Sequence, residues 1–323
     1  MILNKLEMTY ICFSMMIMLI MFSINSFFMF WVLLEMMMMM YIPILSKYNS
    51  NNSLKYFFIQ TFSSILMLFS IIMSKVNVSF NFILGLSLFL KIGVAPFHFW
   101  FLDMLYNINY VELLLLMTLQ KLPGFYMISY YFSSFKNLML IVMLISAVIG
   151  AIMGFSSKSI FFILGASSLS HSSWIMLAML NNNLLWLSYF IMYSIMLTML
   201  MIMLNNMMLK LFNFQIMYKI EKNKQILLFF IFLSLGGIPP FSGFILKWIV
   251  LFNTYIYWSI ILGIMVILVL IILYYYMMLF MNSILMSSSM LMFNSKINKV
   301  NLNFVYSNII IILITPFFMI LFY

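Results

Sequence analysis

Apolar stretches of about 20 residues, parted by short polar interruptions, run along this chain from one end to the other. Wound as an α-helix at about 1.5 Å per residue, each stretch matches the hydrocarbon thickness of a bilayer. A spanning strand would instead alternate apolar and polar residues over about 10 positions, and these stretches are unbroken. Lipid offers backbone groups no hydrogen-bond partner, so each span must satisfy its own as a helix. Composition agrees: 67% of the 323 residues are hydrophobic and 6% charged, against about 45–50% and about 25% in soluble domains. The expected fold is an all-α polytopic membrane protein, a single membrane domain over residues 1–323.

Hydropathy places about eleven spans, near 9–24, 27–46, 54–74, 80–101, 111–133, 137–155, 158–181, 184–212, 226–252, 255–283 and 304–322. The first lacks a basic n-region and a clear small-residue cleavage site, so it does not read as a secretory signal. Lysine placement tests the count. All fifteen basic residues are lysines. With eleven spans, ten fall on the N-terminal side: Lys5, Lys47, Lys55, Lys158, Lys210, Lys219, Lys222, Lys224, Lys296 and Lys299. Lys75 and Lys136 fall on the other, and three lie inside spans. This bias is the positive-inside pattern. It predicts an N-terminus facing the compartment of synthesis, the cytoplasm or a mitochondrial matrix.

Several chemistries are excluded. Cys12 is the sole cysteine, so an internal disulfide and a thiolate cluster are out of reach. His98 and His171 are two where a two-haem, bis-histidine protein needs four. Neither a dinucleotide-binding fingerprint after a strand nor a phosphate-binding loop occurs. The methionine runs, such as Met36–Met40, read as Met standing in for Leu in an A- and T-rich genome, animal mitochondrial DNA being a common source. Methionine is a generic apolar filler, and no metal site is expected.

Four charges lie within spans: Glu35, Lys91, Lys121 and Lys247. A charge at the bilayer centre costs about 2.5–3.5 kcal/mol on insertion scales. Lysines near helix ends escape by snorkelling, which suits Lys55 and Lys75. Lys121 has no such exit, nor does Glu35 between Trp31–Leu34 and Met36–Met40. Lys91 and Lys247 each lie beside a helix break. Gly93-Val94-Ala95-Pro96 interrupts the fourth span just after Lys91, and Gly236-Gly237-Ile238-Pro239-Pro240 interrupts the ninth before Lys247. Pro123-Gly124 follows Lys121. Proline removes a backbone donor, and broken helices in lipid survive only within protein or beside water. Two interrupted helices in corresponding halves point to a transporter-like inverted repeat, with a first repeat over about 9–155, a second over about 158–283 and a C-terminal helix over about 304–322.

A lysine in such surroundings suits proton handling, because burial disfavours its charged form and a carboxylate such as Glu35 favours it. His98 and His171 are candidate relays, since histidine titrates near neutrality. The polar run Ser167-Ser168-Leu169-Ser170-His171-Ser172-Ser173 either binds water or pairs with neighbouring backbone.

These residues resemble the antiporter-like membrane subunits of mitochondrial NADH:ubiquinone oxidoreductase, respiratory complex I, and the subunit 2 family among them. The resemblance rests on Trp31-Val32-Leu33-Leu34-Glu35 with Tyr41-Ile42-Pro43, on Leu54-Lys55-Tyr56-Phe57, and on Leu90-Lys91 through Trp100. It continues through Gln120-Lys121-Leu122-Pro123, Ser167 to Trp174, and Leu235-Gly236 through Phe241 with Gly243-Phe244 and Lys247-Trp248. The family pattern departs at Ser156-Ser157, at Phe161-Phe162, where a basic pair is usual, and at Leu246, where a proline is usual. The resemblance implies eleven spans and a matrix-facing N-terminus in the mitochondrial inner membrane. It implies a Glu35–Lys91 coupling pair, a central-axis Lys121 and a terminal Lys247. It implies a proton-translocating subunit of an enzyme whose FMN, iron–sulfur clusters, NADH and ubiquinone sit on other chains. Implied partners are the antiporter-like chain 4, chain 4L, accessory subunits and phospholipids, with no nucleic acid. A stand-alone cation/proton antiporter subunit and a purely structural subunit are the alternatives.

Overall fold

The computed structural model describes residues 4–47, 49–74, 77, 80–105, 108–131, 136–157, 159–180, 184–206, 222–239 and 241–289. Among these residues there is no strand. Eight helical stretches are long and apolar enough to cross a membrane. The chain divides into two units, Ile2–Ser146 and Ala147–Tyr323.

In the first unit, α1 (Lys5–Ser23), α2 (Phe27–Ser46) and α3 (Ser50–Ser74) follow the expected first three spans. α3 shows which solvent the fold expects. Phe58, Phe62, Ile65, Phe69 and Ile72 form an exposed stripe at helical spacing, while Gln60, Ser63, Ser64 and Ser70 are buried. A helix in water would hide the apolar stripe instead; polar groups turned inward and aromatics outward belong to a bilayer. The fourth span is broken into α4 (Asn81–Ile92) and α5 (Phe99–Met104), as the Gly93–Pro96 motif predicts. The fifth is also interrupted, between α6 (Tyr110–Met117) and α7 (Leu122–Tyr131). The expected break there was Pro123-Gly124, yet both residues are helical and the irregular turn precedes them at 118–121. Proline is tolerated in the first turn of a helix, where its missing N–H is not needed.

Helix starts show which ends share a face. Glu7 accepts from the Asn4 backbone N–H at 2.9 Å, and Glu112 accepts from the Asn109 N–H at 3.3 Å. These are matching capping boxes at the starts of the first and fifth spans. Glu7 and Lys47 both act electrostatically on Glu112, so both starts and the turn after α2 gather at one end of the unit. That parity requires the broken fourth span to count as a single crossing. The exposed Lys55 pairs with exposed Asp103 at 3.9 Å.

α8 (Lys136–Ser156) runs across the division between the units. In the second unit, α9 (Ile160–Met179) is buried along nearly its whole length, and α10 (Leu185–Asn206), α11 (Lys222–Gly236) and α12 (Ser242–Ser289) follow it. α9 packs on α10 and α12. α12 has 48 residues, about 70 Å of helix, which exceeds a single crossing of about 30 Å. It leaves helical geometry at Trp258 (φ −136°, ψ 35°), four residues after the expected boundary between the ninth and tenth spans and so just inside the segment expected as the tenth. The expected eleventh span, 304–322, and the loop lysines Lys75, Lys158, Lys210, Lys219, Lys296 and Lys299 lie outside the described residues.

Candidate functional site: buried charges at two helix breaks

The first break is built by glycine and closed by side chains. Gly93 has φ 75° and ψ 39°, left-handed values that glycine adopts without strain. A Cβ there would lie 2.9 Å from Trp100 Cζ2 and 3.0 Å from Phe101 Cβ, so no side chain fits. The Gly93 N–H donates to Phe89 O at 3.0 Å and the Val94 N–H to the same carbonyl at 3.1 Å, a helix ending of the left-handed type. Two of the carbonyls at this helix end find side-chain donors. Trp100 Nε1 donates to Leu90 O at 3.1 Å, and Gln60 Nε2 to Lys91 O at 3.0 Å. In a bilayer these partners replace the water a soluble helix end would find.

The second break repeats the pattern. Gly237 has φ 85°. Its N–H donates to Leu233 O at 2.9 Å and the Ile238 N–H to the same carbonyl at 3.3 Å. A turn bond closes each motif: Phe97 N–H to Val94 O at 2.8 Å, and Phe241 N–H to Ile238 O at 2.9 Å. The backbone bonds of Gly93, Val94 and Phe97 are thus repeated by Gly237, Ile238 and Phe241. The two breaks differ in how a lysine attends them. Lys91 precedes its break; Lys247 follows, and its Nζ donates to Gly236 O at 2.7 Å.

The first unit brings three of the six candidate residues to one region. Lys91 Nζ lies 3.3 Å from Glu35 Oε1, with side-chain exposures of 7% and 17%. Lys121 is buried on the turn between α6 and α7, its Nζ 4.2 Å from the centre of the Phe101 ring. Phe101 lies just past the first break, so an aromatic face helps hold that ammonium away from water. A narrow cavity with room for about one water is lined by Tyr56, Gln60, Lys91, Gln120, Pro123 and Gly124, among others. Gln120, next to Lys121 in the chain, ties this wall together. Its amide donates to Tyr10 Oη at 2.6 Å and accepts from Tyr56 Oη at 2.8 Å.

His98 is buried; its Nδ1 donates to Pro96 O at 3.1 Å, and its Nε2 has no hydrogen-bond partner among the described residues. In the second unit, Lys247 is buried, and His171 Nδ1 lies 3.0 Å from Tyr189 Oη. The serines around His171 settle one open question. Ser167, Ser168, Ser170, Ser172 and Ser173 each donate to the carbonyl three residues back, at 2.6–2.8 Å. Pairing with neighbouring backbone is therefore where their protons go.

The sequence reading gave no role to Gln60, Gln120, Tyr10 or Tyr56. The available signal was two glutamines inside apolar spans, a costly placement without partners. No group of three or more histidine, cysteine or carboxylate side chains able to hold a metal occurs among the described residues.

The family described as NADH:quinone oxidoreductase/Mrp antiporter, transmembrane, matches residues 73–274. NADH-ubiquinone oxidoreductase chain 2 of Anopheles gambiae is 41% identical over 250 residues, covering 72% of each chain. That of Aedes aegypti is 37% identical over 248 residues, again covering 72% of each. A chain of respiratory complex I from Thermus thermophilus superposes with a TM-score of 0.78 at 15% identity, covering 97% of this chain and 78% of that one. A chain of the Mrp complex from a Dietzia species superposes at 0.66 and 17% identity, covering 86% and 58%.

Proposed function

Because the chain belongs to the NADH-ubiquinone oxidoreductase chain 2 family of antiporter-like membrane proteins, we propose that it moves protons in the membrane arm of complex I along a buried Glu/Lys axis. The observation that carries this reading is the arrangement in the first unit. A Glu35–Lys91 pair sits at a helix break, a buried Lys121 sits on a second irregular turn, and a polar cavity lies against Lys91 and Gln120. An ion pair at 3.3 Å beside a water-sized space can open or close as its surroundings change charge. Each change alters how firmly the nearby amines hold a proton. In this reading Glu35 and Lys91 receive the electrostatic signal, Lys121 passes the proton, and Lys247 serves the second unit, with His98 and His171 as relays. The two matching breaks support reading the units as repeats.

NADH oxidation and quinone reduction then belong to other chains, which hold the flavin, iron–sulfur clusters and quinone. The chain sits in the mitochondrial inner membrane with its N-terminus toward the matrix, against chain 4, chain 4L, accessory subunits and phospholipids. A structural role is the second reading, favoured by the direct Lys247–Gly236 bond, since buried charges can hold helices in register without carrying anything. Lys121→Met, similar in size but uncharged, separates the two. It is expected to lower the protons moved per NADH in the assembled complex while the complex still assembles. An unchanged proton yield removes Lys121 from the mechanism.

A further inference from the structure

The backbone of the turn at 118–121 leaves the regular helical ladder. The Gln120 N–H reaches back five residues to Leu115 O at 3.1 Å, and the Lys121 N–H only three, to Thr118 O at 3.1 Å. A regular helix would send these two donors to Leu116 O and Met117 O. Pro123 does not account for the change, because a proline disturbs the carbonyl four residues back, here that of Leu119. Helical bonds given up inside a bilayer are costly, so the turn needs other bonds to hold it.

The side chain of Gln120 supplies them, and it takes them from three other helices. Its amide nitrogen donates to Tyr10 Oη of α1 at 2.6 Å and to Met37 O of α2 at 3.4 Å, and its amide oxygen accepts from Tyr56 Oη of α3 at 2.8 Å. The Met37 carbonyl fixes which way round the amide sits, since turning it over would set two acceptor oxygens face to face. Tyr10 and Tyr56 are buried, and the Tyr41 ring fits between them, with centres 5.6 Å from Tyr10 and 5.2 Å from Tyr56. Tyr41 Oη donates to Glu112 O at 2.9 Å, so the same tyrosines grip the first turn of α6. Beyond the turn, Gly124 lies against α4: a Cβ there would come 2.6 Å from Ile92 Cγ1, the residue after Lys91.

We propose that Gln120, oriented by Tyr10 and Tyr56, is a positioning residue for Lys121: its side-chain bonds keep residues 118–121 out of the helix and so keep the neighbouring ammonium on the Phe101 face. The exchange is close to even, two ladder bonds given up against three side-chain bonds. Removing the side-chain bonds therefore tips it. The 120 and 121 donors return to Leu116 O and Met117 O and carry the Lys121 backbone with them, off the ring that its Nζ now meets at 4.2 Å. That this placement serves proton movement rests on the function proposed above.

Two measurements on the assembled complex test it. A map of Gln120→Leu is expected to show both donors back on Leu116 O and Met117 O and the Lys121 side chain off the Phe101 ring. A turn and an ammonium left in place overturn the proposal. Gln120→Leu is also expected to lose as much of the proton yield per NADH as Lys121→Met does. Gln120→Glu keeps the shape, and its neutral carboxyl can still donate to Tyr10 and accept from Tyr56. It is expected to recover part of the yield, most at low pH, where the carboxyl keeps its proton. Equal yields from the two Gln120 variants at every pH overturn the positioning role. Should Gln120→Leu fail to assemble, Tyr10→Phe combined with Tyr56→Phe, which keeps both rings, is read in its place. Full yield in Gln120→Leu beside an impaired Lys121→Met sinks this inference alone. Full yield in Lys121→Met as well removes the lysine axis on which it rests.

Discussion

The Glu35–Lys91 pair offers a quantitative test of how these charges are tolerated. Their side chains are 17% and 7% exposed and 3.3 Å apart. Glu35→Gln leaves the Lys91 ammonium in apolar surroundings with its countercharge gone. Breaking a buried pair from one side costs about 3–5 kcal/mol. Glu35 keeps some contact with the outside, which argues for the lower end, about 3 kcal/mol, or about a hundredfold in the folding equilibrium. Lys91→Met strands the carboxylate instead. Glu35 is the more exposed partner, so the expected loss is smaller, about 2 kcal/mol. The double variant removes both charges and both desolvation penalties, and is expected to return to within about 1 kcal/mol of the parent. The coupling from the cycle is then about 4 kcal/mol, well above the roughly 0.5 kcal/mol scatter of independent sites. The assay is equilibrium unfolding of the purified chain in detergent, titrated with a denaturing detergent, for all four proteins. Additive losses within that scatter would refute the argument, because they would mean that neither charge depends on the other.

Two further outcomes follow from the packing. Gly243→Ala drives a Cβ into the Ser234 carbonyl oxygen; backbone cannot yield as a side chain does, so a loss at or beyond the upper end of the about 1–3 kcal/mol typical of overpacking is expected, read as failure of the chain to accumulate in assembled complex. Gln120→Leu strands the Tyr10 and Tyr56 hydroxyls, at about 1–3 kcal/mol for each group left unpaired. Adding Tyr10→Phe and Tyr56→Phe is expected to recover part of that loss in the same unfolding assay, and no recovery would show that the amide's bonds are not what matters.

How much of this was legible in the chain depends on distance along it. The bilayer as solvent, the helical class and both glycine–proline breaks follow from local chemistry: runs of apolar residues, positive-φ glycines and missing donors act within a few residues of themselves. Even the contrast between snorkelling Lys55, exposed beside Asp103, and buried Lys121 could be read from how far each lies from polar residues. The fifth span shows the limit. Pro123-Gly124 was a sound local signal for a break, but the irregular turn formed just before it, at 118–121, where Lys121 meets Phe101 and Gln120 meets Tyr10 and Tyr56.

Those partners lie 20, 110 and 64 residues away from Lys121 or Gln120 in sequence, and no local pattern announces them. The same holds for Gln60 on the Lys91 carbonyl and for the tyrosines gathered near His171. A single sequence tells which groups lipid cannot tolerate alone, because that penalty belongs to each residue and its immediate surroundings. Which distant side chain relieves each penalty is decided only when helices pack, since satisfaction is a property of pairs and the pairs are made by the tertiary fold.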